Sequence, residues 1–199
     1  MKKEVLYPPR MVLLTGDPGS GKTTLSRGYF EDGQKLVNGI TDYLEIEYIE
    51  KDEIKFRLSS ERRAKVDPDI RKRVYAEIFR KSGQCLDDDM SVLIDASFAN
   101  EVKNPSWREK YIELAYSRNA VPVFLRCILP ELVLRQRIEY RDDPIDYEKI
   151  KDTASWKRFM EEEPIHVNDG SIEIDTTKSV EENVRLILSI LRTRIISPS

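Results

Sequence analysis

Residues Gly16-Asp17-Pro18-Gly19-Ser20-Gly21-Lys22-Thr23 spell G-x-x-x-x-G-K-[ST], the pattern of a phosphate-binding loop. Such a loop works only between a strand and a helix, and both neighbours suit it. Residues 11–15, Met-Val-Leu-Leu-Thr, form a short apolar run that reads as a buried parallel strand. Residues 22–30 hold good helix formers and no proline, which predicts a helix leaving the loop. Gly16, Gly19 and Gly21 let the backbone turn tightly and approach a ligand with no Cβ in the way. The freed N–H groups and the helix N-terminus then face the phosphates of a nucleotide. Lys22 would reach the β- and γ-phosphates, and the Thr23 hydroxyl would ligate Mg²⁺.

The rest of the chain alternates between two periodicities. Residues 44–49 alternate apolar and charged side chains, the mark of a half-exposed strand. Residues 91–95 and 121–129 are apolar runs suited to buried strands, and 171–175 is a short last one. Helices are expected at 53–58, 67–86, 105–118, 131–140, 147–162 and 180–195. The second of these has a clear start, with Asp67 as cap and Pro68 in the first position. Residues 1–10 read as a loose lead-in because Pro8-Pro9 blocks early structure. Residues 31–41, with Gly33, Asn38 and Gly39, read as loop or broken helix. This alternation predicts a three-layer α/β fold, doubly wound on a mostly parallel five-stranded sheet, with ligands at the carboxyl ends of the strands. The loop at 16–23, Asp52 and Asp95 all fall at that edge.

Composition narrows the function. A chain of 199 residues suits a single domain over 1–199. Net charge is −3, so the whole-chain balance advertises neither nucleic acid nor membrane. No apolar run approaches a membrane span, and Met-Lys-Lys-Glu at the start lacks the apolar stretch of a secretion signal. Cys85 and Cys127 match no zinc or redox spacing and are expected as reduced, buried thiols in a cytoplasmic protein. His166 is the only histidine, which excludes a His-pair metal site and disfavours His-based acid–base catalysis.

Four further groups carry candidate chemistry. Asp95 ends an apolar strand, where a carboxylate would hold Mg²⁺ or orient an acceptor, or would cap the following loop. Asp52 stands between a strand and a helix, as a helix cap or as a general base for an acceptor hydroxyl. Arg135, Arg137 and Arg141 sit on or just after one helix, with Arg137 and Arg141 four apart and so on one face. The acidic, proline-broken segment after them suits a hinge, from which arginines would neutralise charge on a transferred phosphoryl group. Arg62, Arg63, Arg71, Lys72 and Arg73 make a basic cluster, either a solvated face or a contact for a polyanionic acceptor.

With these residues in view, the chain resembles the small P-loop kinases grouped with polynucleotide kinase, zeta toxin and chloramphenicol phosphotransferase. The resemblance rests on residues 16–24, on Asp52-Glu-Ile-Lys-Phe-Arg-Leu58, and on Ser91-Val-Leu-Ile-Asp-Ala-Ser-Phe98. It continues through Trp107-Arg-Glu-Lys-Tyr-Ile-Glu-Leu-Ala115 and Arg137-Ile-Glu-Tyr-Arg141. It implies a sheet ordered like adenylate kinase, a short helical lid over about 135–163, a general base at Asp52, and lid arginines at Arg137 and Arg141. It also implies nucleotide binding by residues 16–24, Thr24 included, and gives Arg108 a place near the acceptor or the phosphates. Two positions depart from polynucleotide kinases: Lys55 stands where they have Arg, and Ala96 where they have Thr. Lysine makes no bidentate phosphate contact, which weighs against a nucleic-acid acceptor.

The expectation is therefore an ATP- and Mg²⁺-dependent kinase. Lys22, Asp52, Arg137 and Arg141 would be catalytic, Thr23 and Asp95 would hold the metal, and Asp52, Lys55, Asp95 and Arg108 would line the acceptor site. A small-molecule alcohol is favoured as acceptor. A nucleic-acid 5′-hydroxyl stays open, and so do a nucleotide-hydrolysing switch and a binding module without chemistry. Oligomeric state is not legible.

Overall fold

A computed structural model describes residues 2–31, 34–59, 67–98, 106–140, 148–162 and 170–193. The core strands are β1 (Arg10–Thr15), β4 (Ile46–Glu50), β5 (Ser91–Asp95), β6 (Val121–Ile128) and β7 (Ile172–Asp175). They form one five-stranded sheet in the order β4-β5-β1-β6-β7, with every pair parallel. The chain leaves the central strand β1 for the far edge, returns through β5, then crosses to β6 and β7. Strand order reverses at β1, and the crevice at such a reversal is where open α/β sheets bind ligands.

Alternation along each strand sorts side chains onto two faces. Met11, Leu13, Val92 and Ile94 pack on one face with residues of α3 (Lys51–Ser59), α4 (Pro68–Asp87) and α5 (Trp107–Tyr116). Val12, Leu14, Leu93, Leu125 and Ile174 pack on the other. That face takes α1 (Lys22–Arg27), α2 (Ile40–Tyr43) and the C-terminal helix α8 (Val180–Arg192), which contributes Val184, Ile187, Leu188 and Leu191. The result is the three-layer, doubly wound arrangement. Separately, α6 (Glu131–Tyr140) and α7 (Thr153–Glu162) share a small core of Leu129, Leu134, Ile138, Trp156 and Phe159.

Several expectations are corrected. The helix predicted over 22–30 ends at Arg27, because Gly28 takes φ 91° and turns the chain out of helix. Residues Gly28–Glu31 become β2, paired antiparallel with β3 (Gln34–Asn38) in a separate hairpin. The segment read as loop or broken helix is thus β3 followed by the one-turn α2. The lead-in is not loose. Its Glu4 bridges Leu44, and the Arg10 guanidinium is buried against the carbonyls of Pro8 and Leu191, the latter at 2.9 Å. The strand at 44–49 lies two residues later at its start and runs to Glu50. It passes into α3 with no intervening loop, so Asp52 sits inside the first turn rather than at the cap. Helix α7 begins at Thr153, with Asp152 accepting from the Ser155 N–H at 2.7 Å.

Asp67 caps α4 as expected, accepting from the Asp69 N–H at 2.8 Å. Both cysteines are free; Cys127 is buried and Cys85 half-buried. No helix among the described residues is long and apolar enough to cross a membrane.

Candidate functional site

The strands being parallel, the exits of β1, β4, β5, β6 and β7 share one edge, and the loop leaves the central one. Gly16, Gly19 and Gly21 have φ of 138°, 91° and 91°, a region L-residues rarely occupy. Gly16 is also enclosed: a Cβ there would lie 2.7 Å from Ser20 Oγ and 2.8 Å from the Cys127 carbonyl oxygen. Gly21 in the left-handed conformation starts α1. Lys22 curls back over the loop and donates from Nζ to the carbonyl oxygens of Gly16 at 2.8 Å and Asp17 at 2.9 Å. The ammonium therefore sits above the backbone it would share with a phosphate.

Thr23, one residue on, donates from Oγ1 to Asp95 Oδ2 at 2.8 Å. Tyr48, on β4, donates to the same oxygen at 2.9 Å. Asp95 is 5% exposed. Thr23 and Asp95 offer two hard oxygens, the donor type that Mg²⁺ prefers, and Mg²⁺ commonly takes its remaining ligands from water and phosphate. The described residues hold no cluster of three or more His, Cys, Asp or Glu side chains suited to a metal.

The loop separates two cavities and lines both. One, about 570 Å³, lies between Gly19, Gly21, Thr24 and Leu25 on one side and Val133, Gln136, Arg137 and Tyr140 of α6 on another. Tyr29 from the hairpin and Thr176, Lys178, Val180 and Asn183 beyond β7 complete it. Its far wall is fixed by Arg137, which donates to Thr176 Oγ1 at 3.3 Å and to the Thr176 carbonyl at 2.6 Å. The other cavity, about 230 Å³, is framed by Pro18, Lys22, Thr23, Glu50, Lys51, Asp52, Asp95, Ala96 and Ser97, with Gly19, Gly21 and Thr24 again in its wall.

Burial and charge set the protonation of this edge. The Tyr48 phenol is pushed up first by burial, then by the carboxylates of Asp95 and Glu50, so it stays a hydrogen-bond donor. Glu50 is raised by burial and then by Asp95, Glu53 and Asp52, with Arg27 at 3.7 Å opposing. Burial holds the Cys127 thiol up at about 12, which makes it an inert packing group behind the loop.

Of the residues expected at the site, Pro18, Gly19, Gly21, Lys22, Thr23, Thr24, Asp52, Asp95 and Arg137 line these two cavities, while Gly16 and Asp17 accept from Lys22 behind them. The Asp52 side chain is 57% exposed and lies 3.7 Å from Lys51 Nζ. Lys55, nearly a turn further along α3, lines neither cavity. Arg108 lines neither cavity; its guanidinium carbon is 4.1 Å from the centroid of the Phe124 ring. Arg141, Arg62 and Arg63 lie outside the described residues. Arg135 pairs with Glu139 at 3.1 Å, and Lys72 with Asp69 at 3.4 Å, as solvated surface pairs. Tyr48, Glu50, Lys51, Ser97 and Thr176 were not expected. The one sequence signal for two of them is their spacing: Tyr48 and Glu50 alternate on a strand that ends beside Asp52.

A parallel sheet of this order, with such a loop at its central strand, defines a P-loop protein of kinase-like architecture. The chain belongs to the AAA domain family, whose model matches residues 11–162. Solved structures share the fold. A candidate kinase from Chloroflexus aurantiacus is 19% identical, covering 93% of this chain and 97% of that one, with a TM-score of 0.64. The Mycobacterium tuberculosis APS kinase CysC, in complex with AMPPNP and APS, is 13% identical over 94% and 99%, with a TM-score of 0.62. A chain of the Pnkp1/Rnl/Hen1 RNA repair complex is 19% identical over 79% of this chain and 47% of its own, at 0.50. No curated protein matches the sequence.

Proposed function

We propose that this chain is an ATP-dependent phosphotransferase that moves the γ-phosphoryl group to the hydroxyl of a small molecule. One observation carries the reading: the phosphate-type loop forms a wall common to a mainly apolar cavity and a carboxylate-lined one. That is the layout a transfer between two substrates requires. The nucleoside would occupy the larger cavity, against Leu25, Tyr29, Val133 and Val180. The triphosphate would lie along residues 16–24, and the acceptor hydroxyl would enter the smaller cavity. An APS kinase of like fold is in complex with both AMPPNP and APS, which supports a reading with two substrates.

The residues would act mostly by position and charge, as phosphoryl transfer demands. Lys22 Nζ would exchange the Gly16 and Asp17 carbonyls for phosphate oxygens. Arg137, already beside Gly21, would clamp charge from the opposite side. Asp52 would take the acceptor's proton. Thr23 and Asp95 would hold magnesium, whose positive charge would offset that of the phosphate oxygens. Residues 135–163 would form a lid on one kinase unit spanning the chain, with α6 and α7 locked to each other by their own apolar contacts.

The test is transfer from γ-labelled ATP to a panel of alcohols, sugars, nucleosides and a 5′-hydroxyl oligonucleotide. A labelled small-molecule product that vanishes in Lys22→Ala is expected. Labelling of the oligonucleotide alone would move the acceptor to nucleic acid. ATP hydrolysis with no labelled acceptor would favour a switch, and wild-type turnover in Lys22→Ala would overturn the assignment.

A further inference from the structure

We infer that Tyr48 is a positioning residue for the cation site, fixing which oxygen of Asp95 faces the nucleotide. The inference rests on the nucleotide reading above. A carboxylate held by one donor can turn about its terminal bond and present either oxygen. Asp95 is held by two donors, and both reach the same atom. Thr23 Oγ1 donates to Oδ2 from α1 at 2.8 Å, and the Tyr48 hydroxyl donates to it from β4 at 2.9 Å. No donor among the described residues meets Oδ1. Two donors from different elements therefore orient the group and leave Oδ1 for a cation or its water.

The framework around Tyr48 makes that hold stiff. β4 pairs with β5 in register, Tyr48 opposite Leu93 and Glu50 opposite Asp95. The Arg27 guanidinium at the far end of α1 lies 5.8 Å from the Tyr48 ring centroid and 3.7 Å from Glu50. Helix α1 is thus tied to the edge strand at one end by Arg27 and to Asp95 at the other by Thr23. A hydroxyl can donate its proton and offer lone pairs at once, so Thr23 can keep its bond to Asp95 while ligating a cation. Outer groups that orient a ligand in this way typically matter by about 10- to 100-fold in metal affinity.

The experiment measures ATP dissociation constants of the full chain with and without magnesium, for wild type, Tyr48→Phe, Asp95→Asn and the double variant. Phenylalanine keeps the ring and loses only the donor, and thermal unfolding checks that it folds. Expected is a roughly tenfold smaller magnesium-assisted tightening in Tyr48→Phe, with metal-free ATP affinity unchanged. Adding Tyr48→Phe to Asp95→Asn should then change nothing more. A merely structural role would lower both affinities together and would overturn the inference. So would a wild-type magnesium effect in Tyr48→Phe, or an undiminished loss in the Asp95→Asn background. A wild type with no magnesium-assisted ATP binding would sink the nucleotide reading and this inference with it; a wild type that binds, with Tyr48→Phe indistinguishable, sinks this inference alone.

Discussion

Arg137 Nη2 donates to the carbonyl oxygen of Thr176 across 2.6 Å, closing α6 onto the exit of β7 over the mouth of the loop. The same guanidinium lies 3.5 Å from where a Cβ on Gly21 would be. It thus lines the larger cavity and stands beside the loop.

Arg137→Ala should lower the rate of phosphoryl transfer by about 10³-fold or more, since arginines that clamp transferred phosphoryl groups are worth about 10³- to 10⁵-fold. Arg137→Lys should recover little, because lysine cannot hold Thr176 through a planar fork. Steady-state turnover with labelled ATP checks it. A rate within a few-fold of wild type in Arg137→Ala would reduce the residue to a strut.

Asp52→Asn should cut kcat by about 10²- to 10⁴-fold, the usual weight of a general base, and leave ATP affinity nearly unchanged. The side chain is too exposed, at 57%, for its loss to disturb the fold much. A fall in ATP affinity with kcat intact would instead mark Asp52 as part of the nucleotide site.

Glu50 gives a pH-dependent prediction. Its carboxyl is raised by burial and by Asp95, Glu53 and Asp52, so the folded chain favours the protonated form more than the unfolded chain does. Stability from this group is complete below the ordinary carboxylate pKa and is lost as pH rises past the raised one. Glu50→Gln should therefore raise Tm at pH 7, and the gain should shrink as pH falls toward 4. Thermal melts across that range decide it; a gain that grows toward acid pH would reverse the sign.

Phe98 follows the β5 exit at φ 53°, a conformation costly for a bulky residue, and is fully buried. Trp107, Tyr75 and Tyr111 hold its ring, with centroids 5.0, 5.3 and 5.7 Å away. Phe98→Ala should cost about 3–5 kcal/mol of stability. It should also loosen Ala96 and Ser97, which line the smaller cavity. Chemical denaturation reads the first effect and acceptor KM the second. A loss under about 1 kcal/mol would mean the aromatic cluster collapses around the gap.

The chain's order already specifies the loop at 16–23, the five core strands as strands and the long capped helix α4, because each depends on neighbours within a few residues. Strand alternation and glycine placement are local constraints, and local constraints survive in one dimension. Local propensity also misled: good helix formers run through residue 30, yet Gly28 stops α1 and opens a hairpin that puts Tyr29 in the larger cavity. The glycine was the available signal. Only the tertiary structure brings Tyr48 to Asp95, 47 positions away, and Arg137 to Thr176, 39 positions away, and only it sets Arg108 on Phe124. Those meetings depend on which strands become neighbours and on how helices lie across the sheet. Burial of apolar surface decides that over the whole chain, so no single stretch encodes it.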